Sequence, residues 1–162
     1  MDDEVQRDAA ARRFFEEAYR NQMNGELEKA AELYKKSIES FPTAEAYTFL
    51  GWTYSFMGRV DDAIAECHKA IEVDPTFGNP YNDIGAYLLQ QGEPDEAIPW
   101  LERALKAPRY ASYHFAHMNL ARAYEAKHDW LHAKDEYRKA LVENPEYSPA
   151  AQGFARIRGY LN

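Results

Sequence analysis

Five histidines and several adjacent carboxylates are the residues of this chain that could do chemistry. His128 and His132 stand four apart, and His114 and His117 three apart. An i, i+4 pair on a helix can bind zinc, but a site needs three or four ligands. Here His128 falls at a turn, so it need not share a face with His132, and His117 falls at an inter-helix packing position. No cysteine sits nearby, and no metal site is expected. Asp61-Asp62 and Asp95-Glu96 look like acid–base pairs. Acid–base catalysis needs carboxylates converging on a cleft with shifted pKa values. These pairs instead open helices, where negative charge complements the helix dipole. No glycine-rich phosphate loop, Gly-x-Ser-x-Gly elbow or Cys/His dyad occurs. Cys67 falls at a packing position and reads as an inert core residue. The expectation is a protein that is not an enzyme and carries no cofactor.

The elements that carry these residues are helical. The 162 residues are 46% hydrophobic and 28% charged, which suits one folded domain or a repeat array of that size. Val, Ile and Thr are few, whereas Ala, Glu, Leu, Lys, Arg and Tyr are plentiful. A net charge of -8 argues against nucleic acid and against an anionic membrane surface. One cysteine excludes an internal disulfide. The start, MDDEVQRDAAARR, lacks an apolar signal core, and no run approaches the roughly 18 apolar residues of a membrane span. These features predict a cytoplasmic protein without membrane insertion.

One pattern recurs four times, over 11–43, 44–77, 78–113 and 114–147. An acidic lead-in at 1–10, able to extend the first helix, precedes it, and a C-terminal helix at 148–162 follows. An apolar residue meets a small one at Leu50-Gly51, Ile84-Gly85 and Leu120-Ala121. A turn follows at Asn24-Gly25, Met57-Gly58, Gln91-Gly92 and His128-Asp129. Then come Ala30, Ala63, Ala97 and Ala133, and four residues on Tyr34, Cys67, Leu101 and Tyr137. Each copy closes at Pro42, Pro75, Pro108 or Pro145. The i, i+3, i+4, i+7 spacing gives two short helices, A and B, one apolar face each. The small residues allow close A–B approach, the glycines suit the turn, and the prolines end helix B. Gly51 to Gly85 is 34 residues and Gly85 to Ala121 is 36, so Arg109–Tyr113 forms a longer loop. Glu17 and Asn21 break the apolar pattern of the first copy. Pro99 removes a backbone donor from the third B helix and predicts a kink unless it falls in the first turn.

This residue set resembles the tetratricopeptide repeat, whose period is 34 residues. The resemblance covers about Ala11 to Pro145 and is most complete in the second copy, which departs mainly at Cys67. It implies an all-α fold: a right-handed superhelical solenoid of four helix–turn–helix units with a C-terminal capping helix. In this family the A helices line a concave face. The residues so placed are Phe15, Tyr19, Thr48, Trp52, Phe56 and Asn82, then Leu89, Met118, Arg122 and Arg156, with Asn119 at the edge.

The implied function is an adaptor or scaffold that holds a peptide or helix of another protein in its groove. Trp52 and Tyr19 would anchor it, Asn82 and Asn119 would bind backbone amides, and Arg122 and Arg156 would take acidic groups. The alternative for the aromatics is packing on the N-terminal segment or on each other. One subset of the family grips a chaperone's acidic C-terminal tail through fixed Lys, Asn and Arg residues. The matching positions here hold Phe15, Tyr19, Phe49, Asn79 and Asp83, or Thr48, Trp52, Asp83, Phe115 and Asn119, and neither set is such a clamp. A second surface, convex, could be formed by Trp100, Tyr110 and Tyr113, unless the loop covers Trp100. The competing function is a self-assembling module. A polar outer side on the last helix, from Arg156, Arg158 and Asn162, favours a monomer.

Overall fold

A computed structural model of the chain describes residues 2–161, so Met1 of the lead-in and Asn162 of the last helix lie outside the described residues. The described residues form nine α-helices and no strand: α1 (Asp2–Met23), α2 (Leu27–Ser40), α3 (Ala44–Phe56), α4 (Val60–Val73), α5 (Asn79–Gln90), α6 (Pro94–Lys106), α7 (Tyr113–Ala126), α8 (Trp130–Glu143) and α9 (Ser148–Tyr160). The chain divides into two compact units, Met1–Pro80 and Tyr81–Asn162.

The first unit is two helical hairpins, α1 with α2 and α3 with α4. Their turns reverse at Gly25 (φ 80°) and Gly58 (φ 77°), a left-handed geometry that a Cβ disfavours. The core is a column of Ala18, Ala30, Tyr34, Ala46, Leu50, Ala63 and Cys67, all buried. Small residues set the spacing. A Cβ on Gly51 would stand 2.9 Å from the Ala63 carbonyl oxygen of α4. Where the first copy loses its apolar pattern, Asn21 is still buried, and its Nδ2 donates to the Glu17 carbonyl at 2.8 Å. Residues of the lead-in continue α1 without a break, and Arg7 Nε donates to the Ser40 carbonyl at 3.0 Å.

The second unit holds α5 to α9. Its turns are Gly92 (φ 80°) and, in the last repeat, His128 (φ 60°) in the position that glycine fills elsewhere. Pro99 lies inside α6 beyond the first turn, and the helix runs on to Lys106. The longer connection before α7 carries Tyr110 inward, where it is buried. Helix α9 closes the unit by packing on α8 around Tyr137, Ala140, Ala150 and Ile157. Gly153 lies so close under the Tyr137 ring that a Cβ there would stand 2.3 Å from a ring carbon. Burying a large side chain completely contributes about 1.5–3 kcal/mol, and Tyr137 reaches that burial among residues of α7, α8 and α9 together.

Candidate functional site

The A-helix face of the first unit is aromatic. Helix α3 carries Glu45, Phe49, Trp52 and Phe56 at intervals of four, three and four residues, which places them in one stripe. Helix α1 adds Phe15 and Tyr19 beside it. The rings meet edge to face: Phe15–Phe49 at 5.1 Å, Tyr19–Phe49 at 5.9 Å and Phe49–Trp52 at 5.7 Å. Phe56 continues the run at 5.1 Å from Trp52. Phe15 also meets the buried Tyr34 at 5.3 Å, which ties the run to the core. Despite these contacts, Tyr19 is 43% exposed and Phe56 58% exposed, so the run ends in solvent. Thr48 is not part of this surface. It is buried, and its hydroxyl donates back to the Ala44 carbonyl at 2.7 Å.

Phe49 is the hub of the run, and its role was not apparent from its residue type alone. Its signal in the sequence is its place three residues before Trp52 and four after Glu45. Beside Phe15 the surface dips into a cavity of about 350 Å³ between α1 and the start of α3. Ala11 and Phe15 give it apolar walls, and Asp8, Arg12, Glu16 and Glu45 stand around it.

The corresponding face of the second unit is largely polar and bonded to itself. Asn119 Nδ2 donates to Asn82 Oδ1 at 3.1 Å, and both residues are 9% exposed. Arg156 forms a two-pronged pair with Glu125, Nε to Oε1 at 2.9 Å and Nη2 to Oε2 at 2.8 Å. The Tyr137 hydroxyl donates to Glu125 Oε2 at 2.6 Å. Burial works to raise the Glu125 pKa, but the Arg156 and Tyr137 hydrogen bonds overcome it and hold the carboxyl below its usual range. Arg156 is therefore already engaged by Glu125, although its side chain remains 47% exposed. Arg122 is exposed and acts on Glu125 and Tyr147 through its charge. Leu89 and Met118 are half-buried, and Met118 packs on the α8–α9 core. Asp83 lies one residue from Asn82. Burial pushes its carboxyl up to about 7, against a weak opposing hydrogen bond from Asn82 Nδ2 at 3.5 Å.

Of the three convex candidates, Trp100 is half-buried under neighbours. Its ring lies 6.1 Å from Tyr81, and the Arg103 guanidinium lies 4.6 Å over it. Tyr110 is buried and meets the half-buried Tyr113 edge to face at 5.6 Å. The loop thus turns its first tyrosine into the unit. The histidines go to different neighbours. His117 Nδ1 is 2.6 Å from Glu136, and His132 Nδ1 is 2.7 Å from Asp129. His114 packs on Phe115 and Tyr147, and His128 on Trp130. Among the described residues no three His, Cys, Asp or Glu side chains converge as metal ligands, and no helix is long and apolar enough to cross a membrane.

Helical hairpins that repeat with a small residue at the A–B crossing and a left-handed residue in each turn define an α-helical repeat protein. Family models described as tetratricopeptide repeat match residues 44–77 and 81–107, so these two segments are tetratricopeptide repeats. The chain is 36% identical over 81 residues to a protein SGT1 homolog of Oryza sativa subsp. japonica, a match covering 49% of this chain and 22% of that protein. The match thus spans about a fifth of that relative's length. Among solved structures it is similar to that of the Pseudomonas aeruginosa pilF study, with a TM-score of 0.88 at 23% identity, covering 96% of this chain and 72% of the other. It is also similar to the first TPR of Spaghetti (RPAP3) bound to the HSP90 peptide SRMEEVD, with a TM-score of 0.68 at 22% identity, covering 74% and 93%.

Proposed function

We propose that this protein is an adaptor that holds a peptide or helix of a partner protein on the A-helix face of its first unit. The observation that carries this reading is the aromatic run from Phe15 to Phe56, which stays partly open to solvent at Tyr19 and Phe56. Exposed contiguous apolar surface is costly to maintain and marks interaction sites. Aromatic side chains supply large contact area and carry most of the energy at such interfaces. The structural likeness to a repeat domain that binds a chaperone peptide supports this class of function, while the residues here differ from a carboxylate clamp. Exposed Arg158 on α9 fits a monomer that does not grow end to end.

Pull-down with the wild-type chain and with Trp52→Ala tests the reading. Trp52→Ala, confirmed folded by circular dichroism, is expected to lose the captured partners. A folded Trp52→Ala that retains every one of them would falsify it. The monomeric state is checked by sedimentation over a range of concentrations, where a rising mass counts against it.

A further inference from the structure

Helix α7 repeats the spacing of the α3 stripe with other residues. Phe115, Asn119 and Arg122 stand at i, i+4 and i+7, so they share one face. The middle residue is bonded to Asn82. The outer two remain open. Phe115 is 43% exposed, and its ring meets His114 at 4.1 Å and Tyr147 at 5.6 Å, which makes an apolar ledge in contact with solvent. Arg122 is exposed, and among the described residues no hydrogen bond or ion pair holds its guanidinium. Its charge acts on Glu125, Tyr137 and Tyr147. Glu125 is the one carboxylate of these three, and the two-pronged pair with Arg156 already neutralises it. Two guanidiniums thus face one carboxylate, and the local balance is positive.

We propose that this face of the second unit binds an acidic segment of a partner protein. An aspartate or glutamate of the segment pairs with Arg122, and a nearby apolar side chain lies on Phe115 and Tyr147. The contact lies wholly within the second unit and does not depend on the aromatic run of the first. A carboxylate can take this guanidinium in the two-pronged form that Glu125 takes with Arg156, the geometry in which such pairs are strong. A basic segment would meet like charge. A wholly apolar one would cover a guanidinium without pairing it, which is costly. A nucleic-acid backbone needs a row of free cations, and this face offers Arg122 alone among the described residues. The net charge of -8 opposes an acidic partner at long range, but salt screens charges beyond roughly 8 Å, so the local balance decides. The backbones of Phe115 and Arg122 are about 10 Å apart along the helix, the span of about three residues of extended chain. The acid and the apolar residue of the segment are therefore expected about three positions apart.

The test is selection of short peptides from an unbiased random library displayed against the chain spanning residues 1–162. Affinities are then measured with Arg122→Gln, Phe115→Ser and Phe56→Ser. All three side chains are exposed, so the variants are expected to fold, as circular dichroism checks. The expected result is a set of peptides with Asp or Glu about three positions from a large apolar residue. These are expected to lose roughly fivefold or more in affinity with Arg122→Gln and with Phe115→Ser, and to keep it with Phe56→Ser. A selection whose peptides depend on Phe56 and never on Arg122 overturns this inference and leaves the adaptor reading standing. Acidic peptides that bind Arg122→Gln as tightly as wild type also overturn it. So does a single-stranded oligonucleotide that binds through Arg122 when no acidic peptide is selected.

Discussion

Equivalent places in the two units hold opposite chemistry. Trp52 in the first unit corresponds in the repeat to Arg122 and Arg156 in the second. Trp52 belongs to a run of rings that reaches solvent, with Phe56 58% exposed at its end. Arg156 is paired with Glu125, and nearby Asn119 is paired with Asn82. One face leaves its contact capacity unspent, and the other uses most of it on itself. The repeat therefore fixes where a side chain is placed but not what it does there. Whether a given face recognises or only supports depends on the few residues outside the packing positions.

The largest effects are expected at the packing positions, which the two units share. Gly51→Leu pushes a side chain against the Ala63 carbonyl, and Gly85→Leu drives one into the buried Leu101 side chain. Each is expected to cost on the order of 1–3 kcal/mol or more by overpacking, read as a lower midpoint in urea denaturation. If only one of the two destabilises the protein, the units differ in their packing as well as in their surface.

The next effects separate the faces themselves. Asn119→Ala removes the donor that satisfies buried Asn82 and is expected to cost about 1–3 kcal/mol. Phe56→Ala removes a mostly exposed ring and is expected to cost within about 1 kcal/mol, chiefly its contact with Trp52. Thermal melts of the two variants check the order. A reversed order would mean that the aromatic run holds the first unit together and is not held in reserve for a partner.

Two carboxyls of the second unit respond to pH in opposite directions. Burial holds the Asp83 pKa up at about 7, so the folded state favours the protonated carboxyl. Stability from this group is present at low pH and is lost as pH rises from the usual carboxylate range through about 7. Glu125 acts the other way. Its pKa is lowered, so its contribution is present at neutral pH and is lost as pH falls below the usual carboxylate range. Asp83→Asn is expected to melt above wild type at about pH 8 and to match it near about pH 4. Parallel melting curves for the two proteins across that interval would show that the carboxyl is well solvated.

Much of the fold was legible because the packing positions recur. The residues Leu50-Gly51, Ala63 and Pro75 have counterparts at fixed spacing, and steric need leaves little choice of residue at each. The two residues added between Gly85 and Ala121 likewise announced the loop before α7. The surface was less legible. Placement on a helix face follows from register, but partnership does not. Glu125 lies 31 residues from Arg156, and Asn82 lies 37 from Asn119, so no local spacing reveals that these groups bond to each other. Thr48 shows the same limit at short range, since its register suits the groove while its hydroxyl turns back to Ala44.

The smallest expected effect concerns the turn between α7 and α8. The other three A–B turns place glycine at φ 77–80°, whereas here His128 takes φ 60°. A side chain in this region is strained by roughly 1 kcal/mol, partly offset because glycine loses more entropy on folding. His128 also meets Trp130 edge to face at 5.2 Å, a contact that glycine removes. His128→Gly is therefore expected to raise stability by no more than about 0.5 kcal/mol, seen as a slightly higher melting temperature. A clear loss of stability instead would mean that the ring contact outweighs the backbone strain. The histidine would then join Glu125 and Asn119 among the side chains by which the second unit supports itself.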